Sequence, residues 1–312
     1  MQAAVVPAVS SSWEVKEVPQ PQPGPNQVLV KMHASGICYT DVHQTLGHLP
    51  GPFPRILGHE PVGEIIAVAP DVTTRKVGDR VGTAWIQSTC CRCEWCQRGR
   101  RMFCPYLKGT GIETQGGHAE YMPMNANATY LIPDKVSYEQ AAPIFCAGYT
   151  VYGGLRWADP QPHERVAVRG IGALGHLAVQ YAKAAGFETI AVSHSPDKDK
   201  MIRDLGADEV VRDGKGLAAA GGADVILSTS NSTKAMVDCI QGLRPDGRLV
   251  TMGADAEPIS VSLIDLISKR IRIIGSPAKR PRISLRSARF RSARESQNDC
   301  RDLPIGGGRQ GL

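Results

Sequence analysis

Four cysteines in the first half of the chain have a spacing that suits a metal site. Cys90, Cys93, Cys96 and Cys104 fall within 15 residues of one another. A loop this short can bring four thiolates to the corners of a tetrahedron, which is the geometry of a structural zinc site. Such a site has no open position, so we predict that it braces its lobe without taking part in a reaction. The alternative is a set of free buried thiols, and Cys91 lies outside the pattern in either case.

A second set of candidate ligands, Cys38, His59 and Cys146, is dispersed along the chain. Two thiolates and one imidazole fill three positions of a zinc ion and leave the fourth open, as a catalytic site requires. Each residue also has an ordinary explanation. Cys38 could be a core thiol, His59 a histidine with satisfied hydrogen bonds, and Cys146 a small apolar residue on a helix. Spacing alone does not decide between these interpretations.

A glycine-rich turn predicts a dinucleotide site. Gly170, Gly172 and Gly175 follow the apolar run Val166–Val168 and precede apolar residues at helical spacing. The first glycine would make a tight turn, the second would let a pyrophosphate approach, and the third would let helix and strand pack closely. The helix N-terminus would hold the negative charge. The same glycines also fit a turn that merely needs positive φ, but here they lie within a series of βαβ units.

The elements that carry these residues divide the chain into an α/β architecture of two domains and a tail. Residues 1–150 are rich in strand patterns, whereas residues 151–276 alternate strands with helices, which predicts a doubly wound parallel sheet. Residues 277–312 are rich in Arg, Ser and Gly and have too little apolar content to bury a face. We therefore expect this tail to be disordered.

The distribution of charge and apolar residues limits the possible partners. The formal net charge is +6, and the tail alone carries nine bases against three acids, so the preceding residues are neutral. The body gives no reason to expect a nucleic-acid partner, although the tail leaves a basic appendage as an alternative. No apolar run reaches the length of a membrane span. The N-terminus lacks the pattern of a signal peptide, so the expected location is the cytoplasm.

Taken together, these segments resemble the zinc-dependent medium-chain alcohol dehydrogenases, from the N-terminus to about Ser276. The propanol-preferring bacterial enzymes and the cinnamyl alcohol dehydrogenase group are the most similar members. The resemblance implies a GroES-like first domain and a Rossmann second domain. It also implies that Cys38, His59 and Cys146 bind a catalytic zinc, with a structural zinc in the four-cysteine lobe. Asp41 and Glu60 would orient the zinc ligands.

The resemblance further implies a reaction, the interconversion of small alcohols and aldehydes by hydride transfer with a nicotinamide cofactor. The zinc would act as a Lewis acid on the substrate oxygen. Thr40 would receive the proton, and His43 would carry it to the surface. His43 could instead be an exposed residue with no part in the reaction. Thr150 corresponds to a contact with the nicotinamide, and Trp85 either lines the substrate pocket or packs in the core.

The second strand of the dinucleotide domain bears on which cofactor binds. An NAD site needs an acidic residue at the end of that strand, to accept the ribose hydroxyls. Ser193 occupies this position, followed by His194 and Lys198. Hydroxyls and cations suit a 2′-phosphate, which favours NADP(H) over NAD(H). Asp197 and Asp199 leave NAD(H) open as the alternative, because a shift of this loop could bring either carboxylate to the ribose hydroxyls.

Two features depart from the family pattern. Arg169, directly before the first glycine, stands where relatives usually carry an apolar residue. The tail lacks the helix and strands with which relatives return to the catalytic domain, and it resembles the product of an altered reading frame. A catalytically impaired relative that still binds zinc and dinucleotide is therefore the competing hypothesis. We expect a homo-oligomer, either a dimer or a tetramer. The segment Arg270–Ile274 falls near the sheet edge that pairs with the same edge of a second subunit in members of this family.

Overall fold

The computed structural model describes residues 1–49, 51–253 and 257–276. The chain divides into two compact units, one formed by Met1–Cys146 and one that begins at Ala147. The predicted disordered tail, residues 277–312, lies outside the described residues. Within the described ranges, no helix combines the length and the apolar character needed to cross a bilayer.

Short antiparallel strands make up most of the first unit. They are β1 (Gln2–Val6), β2 (Glu14–Glu17), β3 (Gln27–Ser35), β4 (Arg55–Ile56), β5 (Pro61–Val68), β6 (Arg80–Thr83), β7 (Ile86–Ser88), β8 (Lys108–Gly109), β9 (Tyr121–Asn125) and β10 (Thr129–Leu131). The main sheet has the order β10-β6-β5-β3-β9, and β2-β1-β4 form a smaller sheet. The pair β7-β8 forms the base of the loop that carries the four cysteines. Three short helices complete the described part of this unit, α1 (Tyr39–Thr45), α2 (Glu94–Gln97) and α3 (Tyr138–Ala141).

The core of the first unit follows from the alternation of side chains along its strands. Val28 and Val30 of β3 point to the same face because successive residues of a strand face opposite sides. They pack with Ile65 of β5 and with Met122 and Met124 of β9, all fully buried. Packing on this apolar face stabilises the main sheet and thereby fixes the positions of the loops between its strands.

The second unit contains a parallel sheet covered by helices. Its strands are β11 (Arg165–Arg169), β12 (Glu188–Val192), β13 (Glu209–Val211), β14 (Ala223–Ser228), β15 (Leu243–Thr251) and β16 (Arg272–Gly275). Its helices are α4 (Ala147–Ala158), α5 (Ala173–Ala184), α6 (Asp199–Asp204), α7 (Gly214–Ala219), α8 (Thr233–Asp238) and α9 (Leu263–Lys269). The strand order is β13-β12-β11-β14-β15-β16, with every neighbouring pair parallel.

This order identifies the second unit as a Rossmann fold. Counted from β11, it is the order 3-2-1-4-5-6 in which dinucleotides bind at the carboxyl ends of the strands, where the order reverses. All five residues of β11 are buried, as expected for a central parallel strand that is covered on both faces. The predicted doubly wound parallel sheet is confirmed.

Candidate zinc centres and dinucleotide site

Four potential metal ligands meet within the first unit. The ligand atoms of Cys38, His59, Glu60 and Cys146, called here the ligand cluster, all lie within 4.8 Å of one another. His59 Nε2 is 3.1 Å from Cys146 Sγ, and the sulfurs of Cys38 and Cys146 are 3.9 Å apart. Two sulfurs bound at about 2.3 Å to one tetrahedral zinc lie about 3.8 Å apart. Both the donor set and its spacing therefore fit zinc.

Helix α1 positions the first of these ligands. Cys38 precedes the helix in an extended conformation and acts as its N-cap residue. Its backbone N–H donates to Asp41 Oδ2 at 2.8 Å, which satisfies one of the amides that a helix start leaves unpaired. The Cys38 thiol lies 3.6 Å from Thr40 Oγ1. The local turn thus holds Cys38 and brings the Thr40 hydroxyl beside it.

Asp41 anchors the imidazole ligand as well. Its carboxylate is fully buried and accepts a hydrogen bond from the backbone N–H of Gly58 at 3.1 Å. Gly58 has a φ of +98°, a conformation that suits glycine and directs the chain into His59. Asp41 Oδ1 is 3.7 Å from His59 Nδ1, so the other ring nitrogen faces the sulfurs. A carboxylate behind a histidine ligand is the usual arrangement for fixing the ring of a metal-bound histidine.

Cys146 is positioned by the segment that precedes it. Helix α3 is capped by Ser137, whose Oγ accepts from the N–H of Gln140 at 3.2 Å. The chain then tightens into a 3₁₀ turn over Ala142–Phe145, in which Pro143 supplies no N–H donor. The ring of Phe145 is buried against Gly82, where any larger residue would overlap it. This packing places Cys146 at the ligand cluster.

The electrostatics of the cluster favour the metal-binding form of its cysteine. The hydrogen bond with Cys146 and the nearby His59 lower the pKa of Cys38 to about 4, against the opposing effect of burial. Burial alone would lower the pKa of His59, but Asp41 and Cys38 raise it to about 9. Burial raises the pKa of Glu60 to about 7. Because the thiolate is the form of cysteine that binds zinc, the lowered pKa of Cys38 fits a metal centre, whereas a zinc ion would have to displace the proton of His59, which binds metal as the neutral imidazole.

The second group of thiols forms a separate cluster in the same unit. The sulfurs of Cys90, Cys93, Cys96 and Cys104 also lie within 4.8 Å of one another. Helix α2 starts after Cys93 and contains the buried Cys96. The N–H of Cys93 points at Cys90 Sγ at 3.4 Å, and such amides stabilise thiolates. Four thiol ligands leave no open position, so the residues fit a closed, structural zinc site.

The glycine-rich turn of the second unit has the geometry of a dinucleotide site. Gly170 follows β11 with a φ of +86°. Gly172 caps α5, and a Cβ there would meet no atom within 4 Å, so the backbone is open to a ligand. At Gly175 a Cβ would overlap the carbonyl oxygen of Gly170, so the helix can approach the strand only with glycine. Each of the three glycines has the local geometry that the pattern predicts.

Comparisons with known proteins agree with this geometry. Residues 24–134 match the family model described as alcohol dehydrogenase GroES-like domain, and residues 173–290 match the model described as zinc-binding dehydrogenase. An alcohol dehydrogenase of Geobacillus stearothermophilus is 40% identical over 284 residues, which cover 88% of this chain and 84% of that one. The chain belongs to the zinc-dependent medium-chain alcohol dehydrogenases.

Solved structures extend the comparison. A cinnamyl alcohol dehydrogenase of Sorghum bicolor superposes with a TM-score of 0.87 at 28% identity, covering 94% of this chain and 88% of that one. A zinc-binding dehydrogenase of Sinorhizobium meliloti, solved with NADP, gives a TM-score of 0.85 at 26% identity with the same coverage. The predictions of a GroES-like domain, of a Rossmann domain and of an NAD(P)-linked zinc alcohol dehydrogenase are confirmed.

The remaining predicted residues lie in both units of the enzyme. Ser193 is buried directly after β12, His194 is exposed, and Lys198 is half-buried in a 3₁₀ turn. Thr150 lies in the first turn of α4. His43 is half-buried in α1.

Sequence reasoning missed three residues that contact the predicted ones. His118 Nε2 lies 3.8 Å from Asp41 Oδ2, and His48 Nδ1 lies 3.2 Å from the Nδ1 of His43. Arg212 donates two hydrogen bonds to the carboxylate of Asp199, at 2.8 and 2.5 Å. Of these, Arg212 could have been found, because it directly follows β13 and the carboxyl ends of parallel strands share one edge.

We expect Asp41→Asn to weaken zinc binding at the ligand cluster by about 10- to 100-fold. An amide has one acceptor oxygen where the carboxylate has two, so its NH₂ group would face a backbone N–H donor. Competition with a zinc chelator measures the effect. Asp71→Asn is the matched control, since this exposed carboxylate also accepts from a backbone N–H, that of Asn26 at 2.8 Å. Equal zinc retention in the Asp41 and Asp71 variants would contradict the anchoring role.

Two alanine substitutions should separate ligand binding from folding at the glycine-rich turn. Gly175→Ala should lower both stability, by about 1–3 kcal/mol, and dinucleotide affinity, because the added Cβ pushes α5 away from β11. Gly172→Ala should leave the melting temperature nearly unchanged and reduce only the affinity, because its Cβ projects into open space. Thermal melts and dinucleotide titrations on both variants give the comparison. If Gly172→Ala bound dinucleotide as tightly as the unaltered enzyme, the approach of a pyrophosphate at this residue would be refuted.

Proposed function

We propose that the enzyme interconverts primary alcohols and aldehydes with NADP(H), and that Cys38, His59 and Cys146 are the ligands of its catalytic zinc. The observation that carries the proposal is the ligand cluster, in which two sulfurs and one imidazole nitrogen converge at zinc-compatible distances. Glu60 lies at the same cluster with a raised pKa of about 7. The four-cysteine lobe would hold the structural zinc.

The chain's own residues supply a path for the proton. A zinc ion held by the cluster would act as a Lewis acid on the substrate oxygen, and the nicotinamide cofactor supplies or accepts the hydride. The Thr40 hydroxyl would take the proton of an alcohol, and its distance of 3.6 Å from Cys38 Sγ supports this role. His43 would carry the proton outward. Its contact with His48 at 3.2 Å gives the proton a second imidazole, which is exposed.

The preference for NADP(H) is supported by the residues after β12. An uncharged residue, Ser193, occupies the position from which an acid would accept the ribose hydroxyls of NAD. Asp199, one of the two acids that could replace it, is already held by Arg212 in a two-pronged ion pair. The hydrogen bonds from Arg212 lower the pKa of Asp199, so this carboxylate stays ionised and paired. Asp197 is exposed on the same loop.

Initial-rate measurements test the activity and the cofactor together. The zinc-loaded, full-length enzyme is assayed with cinnamaldehyde and with a short aliphatic aldehyde, using NADPH and NADH side by side. A higher kcat/KM with NADPH than with NADH supports the proposal. A higher kcat/KM with NADH would overturn only the assignment of the cofactor. If soluble, zinc-replete protein turned over neither aldehyde, the catalytically impaired alternative would be correct. Salt-dependent binding of an oligonucleotide would instead support the basic-tailed, nucleic-acid-associated alternative.

Ser193→Asp should reverse the cofactor preference. The new carboxylate would accept the ribose hydroxyls of NADH and repel a 2′-phosphate, so the ratio of kcat/KM for NADPH to that for NADH should fall by about 10- to 100-fold. Ser193→Ala is the control, since it removes the hydroxyl without adding charge and should not improve the use of NADH. An unchanged ratio in Ser193→Asp would show that the adenosine ribose binds elsewhere.

A further inference from the structure

A buried arginine lies at the carboxyl end of β11. Arg169 is only 3% exposed, and it follows three small apolar residues, Val166–Val168. Its Nε donates to the carbonyl of Ala235 at 3.3 Å, and its Nη1 donates to the carbonyl of Val192 at 3.2 Å. Its Nη2 lies 2.9 Å from Nε2 and 3.5 Å from Nδ1 of His194. None of these partners is a carboxylate.

The positive charge of Arg169 is therefore uncompensated by the residues around it. Within residues 1–49, 51–253 and 257–276, no carboxylate oxygen comes within 4.0 Å of its guanidinium, unlike that of Arg165 at the other end of the strand, which pairs with Glu188 at 2.6 Å. An arginine keeps its proton even when buried, and a buried charge is costly unless it is paired. Arg169 lies at the edge of the sheet where dinucleotides bind. An anionic ligand group at this edge would compensate the charge.

Arg169 also holds the ring of its neighbour His194. A guanidinium can only donate hydrogen bonds, and its Nη2 lies within 3.5 Å of both ring nitrogens, so these contacts do not select one of them as the acceptor. Because His194 is exposed, its imidazole can also meet a ligand at this edge of the sheet.

Two residues near His194 add further polar groups at the carboxyl ends of β11 and β12. Ser193 directly precedes His194, and its Oγ accepts a hydrogen bond from the N–H of Ser195 at 3.4 Å, which leaves its O–H free to donate. Arg212 donates to the carbonyl of Ser193 at 3.2 Å and holds Asp199 in the ion pair described above. Hydroxyl, imidazole and buried guanidinium therefore cluster after β11 and β12, and the nearby acid, Asp199, is already paired with Arg212.

We propose that Arg169 is the specificity-determining residue for a 2′-phosphorylated adenosine, which its buried charge attracts and which the exposed imidazole of His194, held in place by Arg169, contacts. The inference rests on the proposed function, because it names the residue through which the enzyme selects NADP(H). Arg169 acts in part as a positioning residue for His194, and in part through its own charge.

Binding of two adenosine fragments tests the inference without catalysis. Adenosine 2′,5′-bisphosphate and adenosine 5′-monophosphate are titrated calorimetrically into the zinc-loaded, full-length enzyme, and the ratio of their dissociation constants is compared between variants. Arg169→Leu should reduce the preference for the bisphosphate by about 10- to 100-fold, as expected when a charged partner of a phosphate is lost. Binding of the monophosphate should change little. Arg244 lies at the amino end of β15 and bonds the carbonyl of Gly221 and the carboxylate of Asp224, so Arg244→Leu should leave the ratio unchanged.

Further variants keep the test decisive if Arg169→Leu does not fold. Arg169→Lys keeps the charge and should retain part of the preference, whereas His194→Ala should lose most of it. If the unaltered enzyme bound both fragments equally, the NADP(H) preference itself would be wrong. If it preferred the bisphosphate while the variants of Arg169 and His194 kept the full preference, only the role of Arg169 would be overturned.

Discussion

Cys146→Ser should produce an enzyme that binds about one zinc ion per chain instead of about two and turns over about 1000-fold more slowly. In the ligand cluster, Cys146 Sγ lies close to both other ligands, 3.1 Å from His59 Nε2 and 3.9 Å from Cys38 Sγ. A serine hydroxyl is a poor zinc ligand, so only the thiolate of Cys38 and the imidazole of His59 would remain of the three proposed ligands, and two are too few to retain the ion. The loss of rate reflects the loss of a Lewis acid, which contributes several kcal/mol to stabilising the transition state.

Metal analysis together with initial rates checks this expectation. Cys91→Ser is the matched control, because this thiol is exposed, lies next to the four-cysteine lobe and belongs to neither cluster. It should keep both zinc ions and the full rate. A Cys146→Ser enzyme with two zinc ions and normal turnover would show that the ligand cluster is not the catalytic metal site.

Cys96→Ser should also remove one zinc ion, but its main effect should be on stability. Cys96 is a buried member of the four-cysteine lobe, and a structural zinc contributes directly to folding. Loss of the metal should lower the unfolding temperature by about 6–12 °C, which corresponds to about 3 kcal/mol in a protein of this size. The core of the main sheet is separate from the lobe, so the rest of the first unit should remain folded.

The two cysteine variants form a reciprocal pair. Each should lose one zinc ion, but Cys146→Ser should lose turnover with a small change in melting temperature, whereas Cys96→Ser should melt early and expose residues 90–104 to proteases. Thermal melts and limited proteolysis of both variants, at equal zinc load, distinguish these patterns. If Cys96→Ser melted like the unaltered enzyme, the lobe would not be a stabilising metal site.

Several features of the enzyme were predictable because they depend on residues close together in the sequence. The four cysteines occupy one short loop, and a loop of that length brings its thiols together whatever surrounds it. The same holds for Gly170, Gly172 and Gly175. The tight turn, the approach of a ligand and the packing of the helix on the strand all depend on the six consecutive residues 170–175. The alternation of strands and helices after residue 150 was enough to predict a parallel sheet, since the period of the apolar residues reports the local structure.

Other features depend on tertiary contacts. The spacing of Cys38, His59 and Cys146 carries no signal, and the structure brings them together by capping α1, turning at Gly58 and packing Phe145 against Gly82. The contact of His118 with Asp41 was invisible for the same reason. The contact of Arg212 with Asp199, in contrast, could have been anticipated from the place of Arg212 directly after β13.

Arg169 shows the difference most clearly. In the sequence it was a charge at the buried end of a strand. Only the fold reveals that its partners are two carbonyls and His194, with no carboxylate in contact among the described residues. The sequence by itself thus determined the four-cysteine motif, the glycine-rich turn and the fold class, because short loops and periodic patterns fix local geometry. The tertiary structure alone decided which distant side chains pair, because pairing depends on where the chain returns in space.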